Sequence, residues 1–155
     1  MKDNIVLIGM PGVGKSTVGV ILAKMIGYQF TDADLLIQKQ EGKLLHEIIA
    51  EKGTDGFIEI EERVNASIEA SHTIIATGGS VVYGKKAMEH LSHIGTVVYL
   101  KVPYDILEKR LEDIKGRGVV LKEGQTLRTL YDERTPLYEK YADIEISEDG
   151  LNVEQ

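Results

Sequence analysis

Three near-continuous apolar runs punctuate the chain: NIVLIG at 4–9, HTIIAT at 72–77 and GTVVYLKV at 95–102. Their β-branched content and lack of polar alternation predict strands covered on both faces, as in a parallel sheet. Two weaker runs, YQFTD at 28–32 and ADIEIS at 142–147, bring the expected number of strands to five. Between the strands the apolar spacing turns helical. KSTVGVILAKMIG closes on Gly27 as a glycine-capped helix does, and TDGFIEIEERVNASIEA opens on a Thr54–Asp55 cap. The alternation of strand and helix predicts an α/β fold of three layers, αβα, around a five-stranded parallel sheet.

Composition narrows the class. A chain of 155 residues, 43% hydrophobic and 28% charged, is expected to form one domain over residues 1–155. The net charge of −7 argues against a nucleic-acid or anionic-membrane surface. There is no cysteine, so neither a disulfide framework nor a thiolate metal site is expected. The four histidines, His46, His72, His90 and His93, fall at no metal-ligand spacing. No apolar run approaches the length of a membrane span, and none at the start resembles a leader. A cytoplasmic domain with a small-molecule partner is the expectation. One segment breaks the rhythm: EDIKGRGVVLKEGQT sets Gly116, Gly118 and Gly124 around Lys115, Arg117 and Lys122. Glycine hinges around basic side chains suit a mobile lid near 113–124 that closes over an anion.

The chemistry begins at GMPGVGKST, directly behind the first strand. Gly9-x-x-x-x-Gly14-Lys15-Ser16 is the Walker A spacing. Its glycines let the backbone curl so that successive N–H groups face phosphate oxygens, and the following helix adds its positive end. Gly12, Val13, Gly14, Lys15, Ser16 and Thr17 are thus the expected contacts to a nucleoside triphosphate. Lys15 reaches the β- and γ-phosphates, and the Ser16 hydroxyl is a ligand for Mg²⁺. Asp32 and Asp34 follow at the end of the second strand; if the segment is extended there, both point the same way. One carboxylate suits Mg²⁺ and its water shell, and the other can take a proton from a hydroxyl.

Taken in order, GMPGVGKST, FTDADLLI, IIATGGSVV, GRGVVL and DERTPLYEKYAD resemble the shikimate kinase family from about Lys2 to Ser147. The resemblance implies a P-loop kinase-like fold and phosphoryl transfer from ATP to a hydroxyl of shikimate, in aromatic amino-acid biosynthesis, by a monomer. It implies Asp34 as the base at the accepting hydroxyl, Asp32 near Mg²⁺, and Gly78 and Gly79 as the turn against which the substrate lies. Arg117 would be the lid arginine over the phosphates, Arg110 would stack near the adenine, and Arg134 would grip the substrate carboxylate. Lys15, Asp34 and Arg117 form the expected catalytic set.

The chain departs from the family pattern in the acceptor half. Phe57 and Glu61 are kept, but Ile58 stands where a second carboxylate-binding arginine is expected. A charge-assisted hydrogen bond contributes roughly 1.5–3 kcal/mol, so its loss predicts about ten- to a hundredfold weaker carboxylate binding. Ile58 is expected to make the pocket wall apolar, and Arg63, about 140° further round the helix, points elsewhere. Ser80 replaces the third glycine of the turn, which requires a negative φ or some strain. The lid reads RGVVL with glycine in place of the family's proline, and the chain stops at DGLNVEQ, where the family adds a last helix. Two alternatives are a related kinase for another hydroxylated acceptor and a nucleotide-binding module without turnover. Retention of Lys15, Ser16, Asp32, Asp34 and Arg117 argues against the second.

Overall fold

The computed structural model describes residues 3–11, 13–112 and 126–147. The expected lid at 113–124, with Arg117, lies outside the described residues, as do Gly12, the side chain of Arg110 and the C-terminal residues 148–155.

All five expected strands form: β1 (Asn4–Ile8), β2 (Gln29–Asp32), β3 (Thr73–Ala76), β4 (Gly95–Lys101) and β5 (Ile144–Ser147). They make one parallel sheet in the order β2-β3-β1-β4-β5. Val6 of the central strand pairs with Ile75 on one side and Val97 on the other. β3 is buried at every position and β1 at all but one, whereas β5 is exposed throughout. The apolar runs therefore mark the middle of the sheet and the mixed runs its edges. Each fully buried aliphatic side chain there, such as Ile8 or Ile74, contributes about 1.5–3 kcal/mol. Asn4 is the polar exception in β1. Its side chain donates to the carbonyls of Ala70 and Ile94 and accepts from Thr73 N–H, so burial leaves it satisfied.

Helices α1 (Lys15–Ile26), α2 (Ala33–Glu41), α3 (Leu45–Ala66), α4 (Lys85–Ile94), α5 (Tyr104–Glu112) and α6 (Leu127–Tyr141) connect the strands. α1 ends on Gly27 as expected, with Gly27 at φ 75° and its N–H on the Ala23 carbonyl. α3 differs from expectation. It begins at Leu45 rather than at Thr54, and Gly53 at φ 75°, ψ 174° breaks it into two helical pieces. The expected helix is the second piece. The first is begun by Glu47, whose carboxylate accepts the Leu44 N–H at 2.9 Å. A second apolar cluster of Ile37, Ile48, Phe57 and Val64 joins α2 to both pieces of α3. Among the described residues no helix is long and apolar enough to cross a membrane, and no three His, Asp or Glu side chains cluster as metal ligands would. The carboxyl ends of β1, β2 and β3 open on one side of the sheet, where α/β folds place their ligands.

Candidate active site

The loop after β1 leads into α1 through Gly14, which holds φ 89° at the helix N-cap. That left-handed conformation brings Lys15 into the first turn, where it is 8% exposed. Its ammonium donates to the Gly9 carbonyl at 2.7 Å and the Met10 carbonyl at 2.8 Å, so it is held folded back against the loop. Ser16, next on the helix, donates its hydroxyl to Asp32 Oδ2 at 2.8 Å.

Asp32 uses its two oxygens for separate tasks. Oδ1 caps α2, accepting from the backbone N–H of Asp34 at 2.9 Å and of Leu35 at 3.3 Å, while Oδ2 meets Ser16. This corrects the expectation of an extended Asp32–Asp34 pair. The chain turns helical at Ala33, so Asp34 sits in the first turn of α2 and not two places along a strand. The two carboxylates still line the same cleft, because a cap and the first helical turn share one end of the helix.

That cleft, about 220 Å³, runs from Lys15, Ser16 and Thr17 past Asp32 and Asp34 to Arg134. Its floor is the turn Gly78–Gly79–Ser80 after β3, where the backbone must lie close to its neighbours. A Cβ on Gly78 would stand 2.6 Å from Asp34 Oδ1 and 2.7 Å from Glu61 Oε2; one on Gly79 would stand 2.6 Å from Pro11 Cδ and 2.9 Å from Arg134 Nη1. A side chain at either position would therefore displace groups that line the cleft. Ser80 has φ −96°, so the serine introduces no left-handed strain.

Arg134 comes from the middle of α6 and is 1% exposed. Its Nε donates to Tyr83 Oη at 3.4 Å, and its guanidinium lies 5.3 Å from the centre of the Tyr83 ring. Four residues on, Tyr138 donates its hydroxyl to the Gly79 carbonyl at 2.5 Å and stacks on Tyr99 at 5.1 Å. Burial pushes the Tyr138 and Tyr99 phenols up, the latter to about 12, so both remain hydrogen-bond donors. α6 thus holds the glycine turn and presents a cation beside it.

Known proteins resemble this chain in sequence and in fold. A family model described as "Shikimate kinase" matches residues 11–155. The chain belongs to the shikimate kinase family. It is 40% identical to a shikimate kinase of Nostoc punctiforme over 148 residues, which are 93% of this chain and 80% of that one. With a Clostridium botulinum shikimate kinase it shares 43% over 143 residues, 89% and 84% of the two chains. A solved structure, the Acinetobacter baumannii shikimate kinase in complex with shikimate, superposes with a TM-score of 0.83 at 34% identity, covering 94% of this chain and 83% of that one.

Of the shikimate kinase residues expected from sequence, the structure brings Gly14, Lys15, Ser16, Thr17, Asp32, Asp34, Gly78, Gly79 and Arg134 together in the cleft, with Val13 buried beneath the loop. Ile58 is a correction. It packs half-buried against the second apolar cluster, and the cleft is lined at that point by Phe57. Arg63 does point elsewhere, pairing with Glu41 at 2.9 Å.

Sequence reasoning gave no role to Glu61, Tyr83 or Tyr138. Glu61 is 1% exposed and lines the cleft, with Oε1 accepting from Ser80 Oγ at 2.5 Å. Burial, reinforced by the nearby Asp34 charge and opposed by Ser80, Arg134 and Lys15, pushes its carboxyl up to about 8. The signal was its spacing: Glu61 stands four places after Phe57 and three before Val64, on the helix face that carries the core.

Proposed function

We propose that the chain transfers the γ-phosphoryl group of ATP to a hydroxyl of shikimate, using the residues gathered in this one cleft. The single observation that carries the assignment of roles is the arrangement around Gly78–Gly79. The phosphate loop stands at one end, Asp34 beside the first glycine and Arg134 beside the second. A hydroxyl donor with a carboxylate tail fits between Asp34 and Arg134 with its oxygen directed at the loop.

In this reading the loop amides and Lys15 hold the β- and γ-phosphates. Lys15 then exchanges its contacts with the Gly9 and Met10 carbonyls for phosphate oxygens. The acceptor oxygen forms a bond to the γ-phosphorus as the bond to the β–γ bridging oxygen breaks, and the hydroxyl proton passes to Asp34. Ser16 Oγ and Asp32 Oδ2, paired at 2.8 Å, are hard oxygen donors at the edge of the phosphate site and fit Mg²⁺. When bound there, Mg²⁺ neutralises phosphate charge. Arg134, buried and braced by Tyr83, binds the substrate carboxylate, and Arg117 and Arg110 are assigned to the phosphates and the adenine by resemblance.

The test is ADP release with and without shikimate. Release that requires shikimate supports the reading. Release that ignores shikimate but responds to another polyol points to a different acceptor, and ATP binding without any release points to a nucleotide-binding module.

A further inference from the structure

Tyr138 makes contacts that the proposed roles leave unused. It is fully buried on α6, and its hydroxyl meets both ends of the cleft at once. The hydroxyl donates to the Gly79 carbonyl, in the turn after β3, at 2.5 Å. The Met10 sulfur, in the loop after β1, lies 3.7 Å from the same oxygen. The single hydroxyl proton serves the carbonyl, and the soft, polarisable sulfur packs against the oxygen.

The two loops touch where this hydroxyl stands. A Cβ on Gly79 would lie 2.6 Å from Pro11 Cδ and 3.2 Å from Pro11 N, so the turn rests directly on the residue after Met10. Met10 is tied to the phosphate end as well, because its carbonyl accepts from the Lys15 ammonium at 2.8 Å. The Tyr138 ring is itself held, stacked on Tyr99 of β4 with 5.1 Å between centres and 28° between planes. A hydroxyl fixed by the sheet and α6 thus bridges the loop that holds Lys15 and the turn that floors the acceptor end.

We propose that Tyr138 is a positioning residue for phosphoryl transfer, whose hydroxyl sets the spacing between the phosphate loop and the glycine turn. The inference rests on the acceptor reading above. In that reading the loop holds the donor and the turn holds the acceptor, and either can bind with the other slightly displaced. Transfer is stricter, since the reacting atoms must stand about 3–3.5 Å apart and in line. A displacement of about 1 Å can cost about 10²-fold in rate. Loss of the bridge should therefore appear in the transfer step and spare both binding steps.

The experiment is the single-turnover rate of phosphoryl transfer to shikimate on the full chain, with both KM values and the melting temperature measured in parallel. Tyr138→Phe keeps the ring and its stack and removes the hydroxyl. Its transfer rate is expected to fall about tenfold or more, with each KM within about threefold. Met10→Leu nearly conserves volume and removes the sulfur, so the rate should fall about two- to fivefold. Combined with Tyr138→Phe it should add nothing, because the sulfur acts through the hydroxyl. Tyr99→Phe is the control: it removes a buried hydroxyl from the same stack, one that meets Thr135 of α6, and should leave the rate within about twofold.

A Tyr138→Phe transfer rate within twofold of the unaltered protein's overturns the inference. So does a fall that Tyr99→Phe reproduces, or one matched by rises in both KM values, since either marks general loosening of the core. Losses that multiply in the double variant also overturn it. Should Tyr138→Phe melt below the assay temperature, Met10→Leu alone decides, and an unchanged rate there overturns the inference. Absence of any shikimate-dependent turnover in the unaltered protein would instead remove the acceptor reading on which the inference stands.

Discussion

The two ends of the cleft are built by different means. At the end proposed for the phosphates the lining residues Pro11, Gly14, Lys15, Ser16 and Thr17 come from one short stretch, shaped by the left-handed Gly14 at the start of α1. At the acceptor end the groups are side chains drawn from four places: Asp34 on α2, Glu61 on α3, Ser80 after β3 and Arg134 on α6. A backbone-made site tolerates many side chains so long as its glycines remain. A site assembled from separated side chains can change one member at a time.

The difference predicts which kinetic constant each change moves. The largest effect is expected from Lys15→Met, which removes a buried cation from the phosphate end. Turnover should fall about 10²–10³-fold or more, with the KM for ATP rising and the KM for shikimate little changed in steady-state assays. Arg134→Gln acts at the other end. Loss of a charge-assisted pair should raise the KM for shikimate roughly ten- to a hundredfold and leave ATP binding alone. A rise in both constants would mean that the two ends are not separable.

Ile58→Arg is the smaller and opposite change. Ile58 adjoins Phe57, which lines the cleft, and a long guanidinium from that position can reach past it. The KM for shikimate should fall by about threefold to tenfold, less than a full charge-assisted pair, because the arginine also gives up apolar packing. An unchanged or higher KM would show that the acceptor end has been remodelled around the isoleucine.

The smallest expected effect is on stability. The Glu61 carboxyl ionises near 8 in the folded chain, against an ordinary value of 4.5. Between those limits the folded state holds a proton that the unfolded state has lost, so stability falls as pH rises. Glu61→Gln removes this contribution. Melting curves at pH 6 and 8.5 should show a steeper loss for the unaltered protein, by at least about 2–4 °C, the shift that 1 kcal/mol gives a domain of this size. Parallel slopes would place the Glu61 carboxyl in a more solvated setting.

The same contrast governs how far the sequence could be read. β1, β3 and β4 were legible because central strands of a parallel sheet are apolar on both faces, and the phosphate loop because its geometry is local. The edge strands β2 and β5 were fainter, since exposure lets polar residues in. The first piece of α3 was not seen at all; its start is set by Glu47 reaching back to Leu44 rather than by a Ser or Thr cap. Asp32 and Asp34 both line the cleft but sit on a different backbone from the expected extended one, because α2 already begins at Ala33. Ser80 looked like a source of strain when considered as a glycine replacement. Its worth emerges only with Glu61, nineteen residues away, at hydrogen-bond distance.

Asp34→Asn, assayed for ATP affinity by titration calorimetry and for ADP release in the presence of shikimate, tests the division of the cleft most directly. The amide cannot take the hydroxyl proton, so transfer should fall by about 10²–10⁴-fold while ATP affinity stays within a few fold. A parallel collapse of ATP binding and transfer would contradict the placement of Asp34 on the acceptor side.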